Sequence, residues 1–201
     1  RFGYKRLSKS LYLLLVLFIA SCSPADTKVD KSKVFRYNEH ANITSLDPAF
    51  AKDQRNIWPC HQLYNTLIKL DKKLNTQPDL ARSWDISDDG LTYTFKLKEN
   101  ILFHPHKCFN DQSERILQAD DVVFSLNRLR KKELASPGAW VMNNVDSIKA
   151  IDSQTVEIRL QKRFPAFLGL LSMKFCSIIP TEVEECNINL RNDPVGTGAF
   201  Y

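Results

Sequence analysis

Hydrophobic and polar residues alternate over residues 91–97, which is typical of a half-buried β-strand. The Asp89-Gly90 pair just before this stretch predicts a tight turn. Trp84 and Ile86 precede the turn. The pattern therefore predicts a β-hairpin, in which the strand that contains these two residues pairs with residues 91–97.

A second hairpin and a helix are predicted further along the chain. Residues 148–160 repeat the alternation and are interrupted by a short polar turn. Val122, Leu126 and Leu129 instead recur at the spacing i, i+4 and i+7, which predicts an amphipathic helix over residues 119–131. The mixture of strands and helices indicates an α/β protein.

Two prolines divide the chain before the first hairpin. Pro48 predicts a loop over residues 42–49, because a proline disfavours helical backbone in the residue before it. Pro59 is predicted to be the first residue of a helix, where its missing N–H costs nothing. A short strand is predicted at residues 34–37, and an apolar helix at residues 164–173.

The N-terminal part of the chain has the composition of a secretion signal. Four basic residues and no acidic residue precede Cys22, and residues 11–20 form an unbroken apolar run. This run is too short to span a bilayer as a helix, which needs about 20 residues. A basic segment followed by a short apolar run is typical of a signal peptide, which we predict at residues 1–21.

The residues at the end of this segment point to a lipid anchor. Residues 19–22, Ile-Ala-Ser-Cys, resemble a bacterial lipobox, in which the cysteine sulfur receives diacylglycerol. We therefore predict lipidation of Cys22. Residues 22–33 are polar and without periodicity, and we expect them to form a flexible tether.

The distribution of charge argues against binding to nucleic acid. The chain has 28 basic and 23 acidic residues, and without the four basic residues before Cys22 these charges nearly balance. Nucleic-acid binding needs a concentrated basic surface. The 43% of hydrophobic residues is enough for a sizeable core.

One cluster of side chains offers a chemical alternative. His104, His106 and Cys108 carry imidazole and thiol groups that suit zinc or copper, which would allow a metal-dependent extracytoplasmic enzyme. We favour a plain loop without metal, because the spacing is not that of a usual structural zinc site and no second ligand pair follows. The sequence also lacks a phosphate loop and a hydrolase nucleophile elbow, so we expect no enzymatic activity and no cofactor.

The cysteines leave the disulfide pattern open. Lipidation of Cys22 would leave Cys60, Cys108, Cys176 and Cys186, which allow three pairings. Cys176 lies in an apolar run, which favours a buried thiol.

A set of motifs in a fixed order resembles the extracytoplasmic solute-binding proteins of dipeptide and oligopeptide ABC transporters. The motifs are Leu-Asp-Pro-Ala at 46–49, Gln-Leu-Tyr-Asn-Thr-Leu at 62–67, Pro-Asp-Leu-Ala-Arg-Ser-Trp at 78–84, Asp-Gly-Leu-Thr-Tyr-Thr-Phe at 89–95, Ala-Asp-Asp-Val-Val-Phe-Ser at 119–125, Thr-Val-Glu-Ile at 155–158 and Asp-Pro-Val-Gly-Thr-Gly at 193–198. Each motif is weak by itself, and the resemblance rests on their order.

This resemblance implies a periplasmic-binding-protein type II-like fold with two lobes that close around a ligand. Residues 34–201 would form a partial N-terminal lobe and its subdomain, and we expect the chain to be an N-terminal fragment that lacks most of the ligand pocket. The implied function is that of a monomeric, lipid-anchored protein outside the cytoplasm, which captures peptide-like solutes and delivers them to an ABC permease in the membrane. Nickel complexes, haem or oligosaccharides are alternative ligands within the same resemblance.

The resemblance also implies where the ligand lies. It places the loop after the Leu-Asp-Pro motif at the edge of the pocket, which corresponds to Ala51, Lys52, Asp53 and Gln54. Met173 is expected nearby. Backbone groups of an extended loop can pair with the main chain of a peptide, as an added strand would.

Overall fold

The computed structural model describes residues 36, 38, 40–109 and 115–201. The chain divides into two compact units, residues 1–38 and 39–201, and nearly all of the described residues belong to the second. Several predictions lie outside the described residues: the signal peptide, the tether and the lipidation of Cys22. The same holds for the strand predicted at residues 34–37, of which only Arg36 is described.

Six strands form two antiparallel sheets in the described part of the chain. They are β1 (Ile68–Leu70), β2 (Thr76–Pro78), β3 (Ala81–Ile86), β4 (Thr92–Leu97), β5 (Val145–Asp152) and β6 (Thr155–Leu160). The first two strands pair with each other, and the other four form one sheet in the order β3-β4-β6-β5.

Four α-helices and four short 3-10 turns complete the described structure. The helices are α1 (Gln54–Leu63), α2 (Ala119–Arg128), α3 (Phe167–Leu171) and α4 (Glu182–Glu185), and the turns are Pro48–Phe50, Lys132–Leu134, Ala139–Met142 and Lys174–Cys176. The helix predicted at 164–173 is shorter than expected, because it ends at Leu171 with Ser172 as its C-cap.

Both predicted hairpins are confirmed. Trp84 on β3 pairs with Phe95 on β4, and β5 pairs with β6 across residues 152–155. Tyr93 and Phe95 are buried on one face of the sheet, as the alternation requires. The central neighbours β4 and β6 join the two hairpins, so the two local units share one core.

Helix α2 covers the buried face of β5 and β6. Val122, Leu126 and Leu129 are all buried, which confirms the helical period. The helix ends at Arg128, earlier than predicted, and Leu129 is its C-cap.

The predicted start of α1 at Pro59 is wrong. The helix begins at Gln54, because the Asp53 side chain caps it by accepting a hydrogen bond from the Asn56 N–H at 3.3 Å. The Asn56 side chain is buried and exchanges hydrogen bonds with Thr44, which fixes this early turn. These contacts offset the helical hydrogen bond that Pro59 cannot donate.

One disulfide forms among the four cysteines, so none of the three complete pairings is present. Cys108 and Cys186 make a disulfide with a Cα–Cα distance of 6.1 Å, whereas Cys60 and Cys176 are free and buried. The buried thiol predicted for Cys176 is therefore confirmed.

We expect Cys60 and Cys176 to resist N-ethylmaleimide in the folded protein. Burial raises the pKa of each thiol to about 12, and the thiolate is the reactive form. Peptide mapping after alkylation at pH 7.5 should find both residues unmodified, and urea should make both reactive. Alkylation of either residue without urea would contradict the packing around it.

Candidate functional site

The loop that the resemblance places at the ligand is held in position by a buried ion pair. The Arg128 Nη1 and Nη2 groups donate to the two Asp47 carboxylate oxygens at 2.9 and 2.6 Å. The side chains are only 15% and 8% exposed. Asp47 also accepts a hydrogen bond from the Ala49 N–H at 3.0 Å, so one carboxylate both caps the turn Pro48–Phe50 and ties it to α2.

Two further contacts fix the same turn from the other side. The Ser136 hydroxyl donates to the Ala49 carbonyl at 2.6 Å. The turn Pro48–Phe50 also packs against the turn Lys174–Cys176, which follows Met173 directly. The loop is therefore rigid at its base, as a binding loop must be if it is to hold one geometry.

The five predicted ligand residues differ in exposure. Ala51 is buried, Lys52 and Gln54 are exposed, and Asp53 is half-buried as the N-cap of α1. Met173 is half-buried and packs against the main core. Met173 directly precedes the turn Lys174–Cys176, which packs against the base of the loop. The Lys52 side chain is exposed to solvent, whereas the exposed Gln54 side chain accepts a hydrogen bond from Trp58 Nε1 at 2.6 Å.

Segment 193–198 packs closely against the end of α1. The Gly198 N–H donates to the Leu63 carbonyl at 2.9 Å, and the Phe200 N–H donates to the Gln62 carbonyl at 3.1 Å. A Cβ atom on Gly196 would overlap the Leu63 carbonyl oxygen, and one on Gly198 would overlap that of Gln62. The Gly-Thr-Gly motif is thus required for close approach of two backbones.

The histidine and cysteine cluster does not converge on one point. The His104 ring faces the Gly198 carbonyl, the His106 ring faces Asp193, and Cys108 is bonded to Cys186. Among the residues that the structure describes, no group of three potential metal ligands is found. None of the described helices is long and apolar enough to cross a membrane.

Sequence reasoning missed two charged groups near the loop. Arg128 lies at the end of α2, and its pairing with Asp47 across 81 residues has no local signal in the sequence. Lys174 is buried, donates to the Tyr64 carbonyl at 3.3 Å, and has a pKa lowered by burial. The sequence does carry one signal for this burial, which is that Lys174 lies inside an apolar run.

Residues 75–201 match the family described as bacterial extracellular solute-binding proteins, family 5, middle region. The chain belongs to this family. The match covers the four-stranded sheet, α2 and the Gly-Thr-Gly segment, which are the elements described above. The resemblance found in the motifs is therefore confirmed, together with the type II binding-protein fold.

Similar proteins of this family bind several kinds of solute. The chain is 34% identical to the glutathione-binding protein GsiB of Shigella flexneri, over 80% of this chain and 30% of that protein. It is 36% identical to heme-binding protein A of Haemophilus influenzae, over 69% of this chain and 28% of that protein. The chain thus spans less than a third of the length of these family 5 proteins.

A solved structure shows the same architecture with a peptide bound. It is the ABC transporter-associated periplasmic binding protein DppA of Helicobacter pylori in complex with the peptide STSA. The chain is 33% identical to DppA with a TM-score of 0.68, over 79% of this chain and 34% of DppA.

Proposed function

We propose that the protein is the extracytoplasmic solute-binding component of an ABC importer, that it captures peptide-like ligands, and that it carries out no covalent chemistry. The observation that carries this proposal is the likeness to the peptide complex of DppA over 79% of this chain. The histidine and cysteine side chains that would have supported a metal-dependent enzyme are engaged with separate partners.

The proposed ligand contacts are Ala51, Lys52, Asp53, Gln54 and Met173. The support is physical: the loop has a rigid base and exposed side chains at its tip. Lys52 supplies a cation for a peptide carboxylate. Asp53, whose carboxylate also lies 3.3 Å from the Arg55 guanidinium, supplies an anion for an amino group. The Ala51 and Lys52 N–H groups donate to carbonyls within the loop, at 3.1 and 2.8 Å, so strand-like pairing with a peptide main chain would use the remaining backbone groups.

Two charge changes in the full-length protein test these contacts. We expect Lys52→Glu and Asp53→Asn each to weaken peptide binding at least fivefold, measured by calorimetry. Asp53→Asn is chosen because asparagine caps a helix about as well as aspartate, so α1 is preserved.

The matched control is Lys73→Glu. Lys73 is exposed like Lys52, but it lies in the turn between β1 and β2. We expect it to bind peptide as the unmodified protein does. If all three variants bound peptide as tightly as the unmodified protein, the loop would not be part of the ligand site.

The proposed lipid anchor rests on the sequence alone. Cys22 follows a basic and apolar signal within a lipobox-like tetrapeptide. In cells given a labelled fatty acid, we expect label in the unmodified protein and none in Cys22→Ala, which should also keep its signal peptide and migrate at a higher mass. Absence of label from both proteins, at equal mass, would refute the anchor.

A further inference from the structure

Three contacts bind the loop of residues 104–109 to the segment of residues 186–201. We call this loop the strap. The contacts are the disulfide Cys108–Cys186, an ionic contact between Lys107 and Asp193, and a pair of hydrogen bonds with a ring contact at His104. One contact is covalent, one is ionic and one consists of hydrogen bonds, and each lies at a different position along the two segments.

The disulfide lies at the end of the strap that is accessible to a reducing agent. Cys186 is exposed and Cys108 is half-buried. The two residues are 78 positions apart, so this bond closes a large loop of the chain. Cys60 and Cys176 are buried and offer no competing thiol for exchange.

The middle of the strap is fixed by His106 and Lys107. The Cys108 N–H donates to His106 Nδ1 at 3.2 Å, so the proton of the ring lies on Nε2, which donates to the Asp193 carboxylate at 3.2 Å. The Lys107 ammonium lies 3.2 Å from the same carboxylate oxygen. Hydrogen bonds from His106 and Lys107 lower the pKa of Asp193, which therefore stays charged at neutral pH.

The other end of the strap holds the Gly-Thr-Gly segment. The His104 N–H donates to the Gly196 carbonyl at 3.0 Å, and its ring Nε2 donates to the Gly198 carbonyl at 2.7 Å. The ring stacks on Tyr201 with 5.0 Å between centroids. Gly198 in turn bonds to the end of α1, the helix that begins at the proposed ligand loop. The strap therefore lies one contact away from α1.

From this arrangement we infer that the Cys108–Cys186 disulfide is a redox-sensitive clamp that sets the affinity of the full-length protein for its solute. The inference rests on the proposed function. The clamp opens when a dithiol reduces the disulfide: the S–S bond breaks, each cysteine sulfur gains one electron and one proton, and the dithiol is oxidised to a cyclic disulfide. Opening frees one end of the strap while the contacts at Asp193 and His104 remain.

Calorimetry of the full-length protein with a peptide, before and after dithiothreitol, tests this inference. We expect reduction to weaken binding at least fivefold, with the circular dichroism spectrum retained and affinity restored by reoxidation. A Cys108→Ser, Cys186→Ser double variant should bind as weakly as the reduced protein and should not respond to dithiothreitol.

The rate of reduction provides a second test that does not depend on the double variant folding. Asp193→Ala removes the middle contact, so we expect dithiothreitol to reduce the disulfide at least threefold faster, as followed by alkylation and mass spectrometry. Asp146→Ala changes an exposed aspartate on β5 and should leave the rate unchanged.

The outcomes separate this inference from the proposed function. If the oxidised protein binds peptide and the reduced protein binds it within twofold, the clamp is refuted and the function stands. Loss of the folded spectrum on reduction also refutes the clamp, because the disulfide would then be structural support. Equal reduction rates in Asp193→Ala and the unmodified protein would show that the three contacts do not act together. No peptide binding by the oxidised protein would instead refute the function.

Discussion

Alanine at Gly196 or Gly198 is expected to lower the free energy of unfolding by about 3 kcal/mol or more. The new Cβ atom would overlap a backbone carbonyl oxygen at the end of α1. That carbonyl cannot move away easily, because α1 is anchored by the buried side chains of Asn56 and Cys60. Urea denaturation of the full-length protein, followed by tryptophan fluorescence, measures the change.

Gly169→Ala is the matched control for these two variants. Gly169 lies within α3, and a Cβ atom there would meet no other atom within 4 Å. Alanine favours helix over glycine by about 0.5–1 kcal/mol, so this variant should be as stable as the unmodified protein or slightly more stable. If all three alanine variants were equally stable, the segment 193–198 would not pack against α1 as described.

Arg128→Met is expected to destabilise the protein by about 3–5 kcal/mol, because it leaves the Asp47 carboxylate buried without its partner. Both oxygens of that carboxylate now accept from Arg128. The turn at the base of the proposed ligand loop should loosen as well. We therefore expect the same variant to bind peptide more weakly, which calorimetry on the folded fraction would measure.

The control for this ion pair is an exposed one. Arg82 and Glu99 are 53% and 62% exposed, with 3.6 Å between the charged atoms. Exposed pairs contribute between 0 and about 1 kcal/mol, so Arg82→Met should have little effect on unfolding. A loss of stability no greater for Arg128→Met than for Arg82→Met would contradict the role given to the buried pair.

The elements predicted from the sequence are those whose signal is local. The hairpin turn at Asp89-Gly90 and the alternation that follows it lie within ten residues. Helix α2 has its apolar period and its first-turn acids within one short stretch. The order of motifs also indicated the family from local signals, because each motif is a short run of residues whose position is visible in the sequence.

Predictions failed or stayed open where distant residues decide the structure. The start of α1 depends on Thr44 as well as on Asp53, and propensity alone favoured Pro59. The pairing of Cys108 with Cys186 depends on how residues 78 positions apart are folded together. The spacing of the strap histidines left a metal site open as the less favoured alternative, whereas the fold directs their rings to Asp193 and to the Gly198 carbonyl.

The ligand class cannot be predicted from the fold, because similar proteins differ in the solutes that their names give. The family 5 relatives named above bind glutathione or heme according to their names, and the chain covers only 30% and 28% of their length. The proposed loop supplies charges suited to a peptide, but a closed pocket would need groups from the rest of the protein. The proposed loop by itself therefore does not decide between these classes of ligand.

Native mass spectrometry of the full-length protein, offered an equimolar panel of short peptides, glutathione, haem and a nickel–histidine complex, tests the central claim most directly. We expect a single bound peptide or glutathione per folded protein, and loss of that complex in Lys52→Glu but not in Lys73→Glu. Binding of haem or the nickel complex alone, or of no solute by a folded protein, would contradict it.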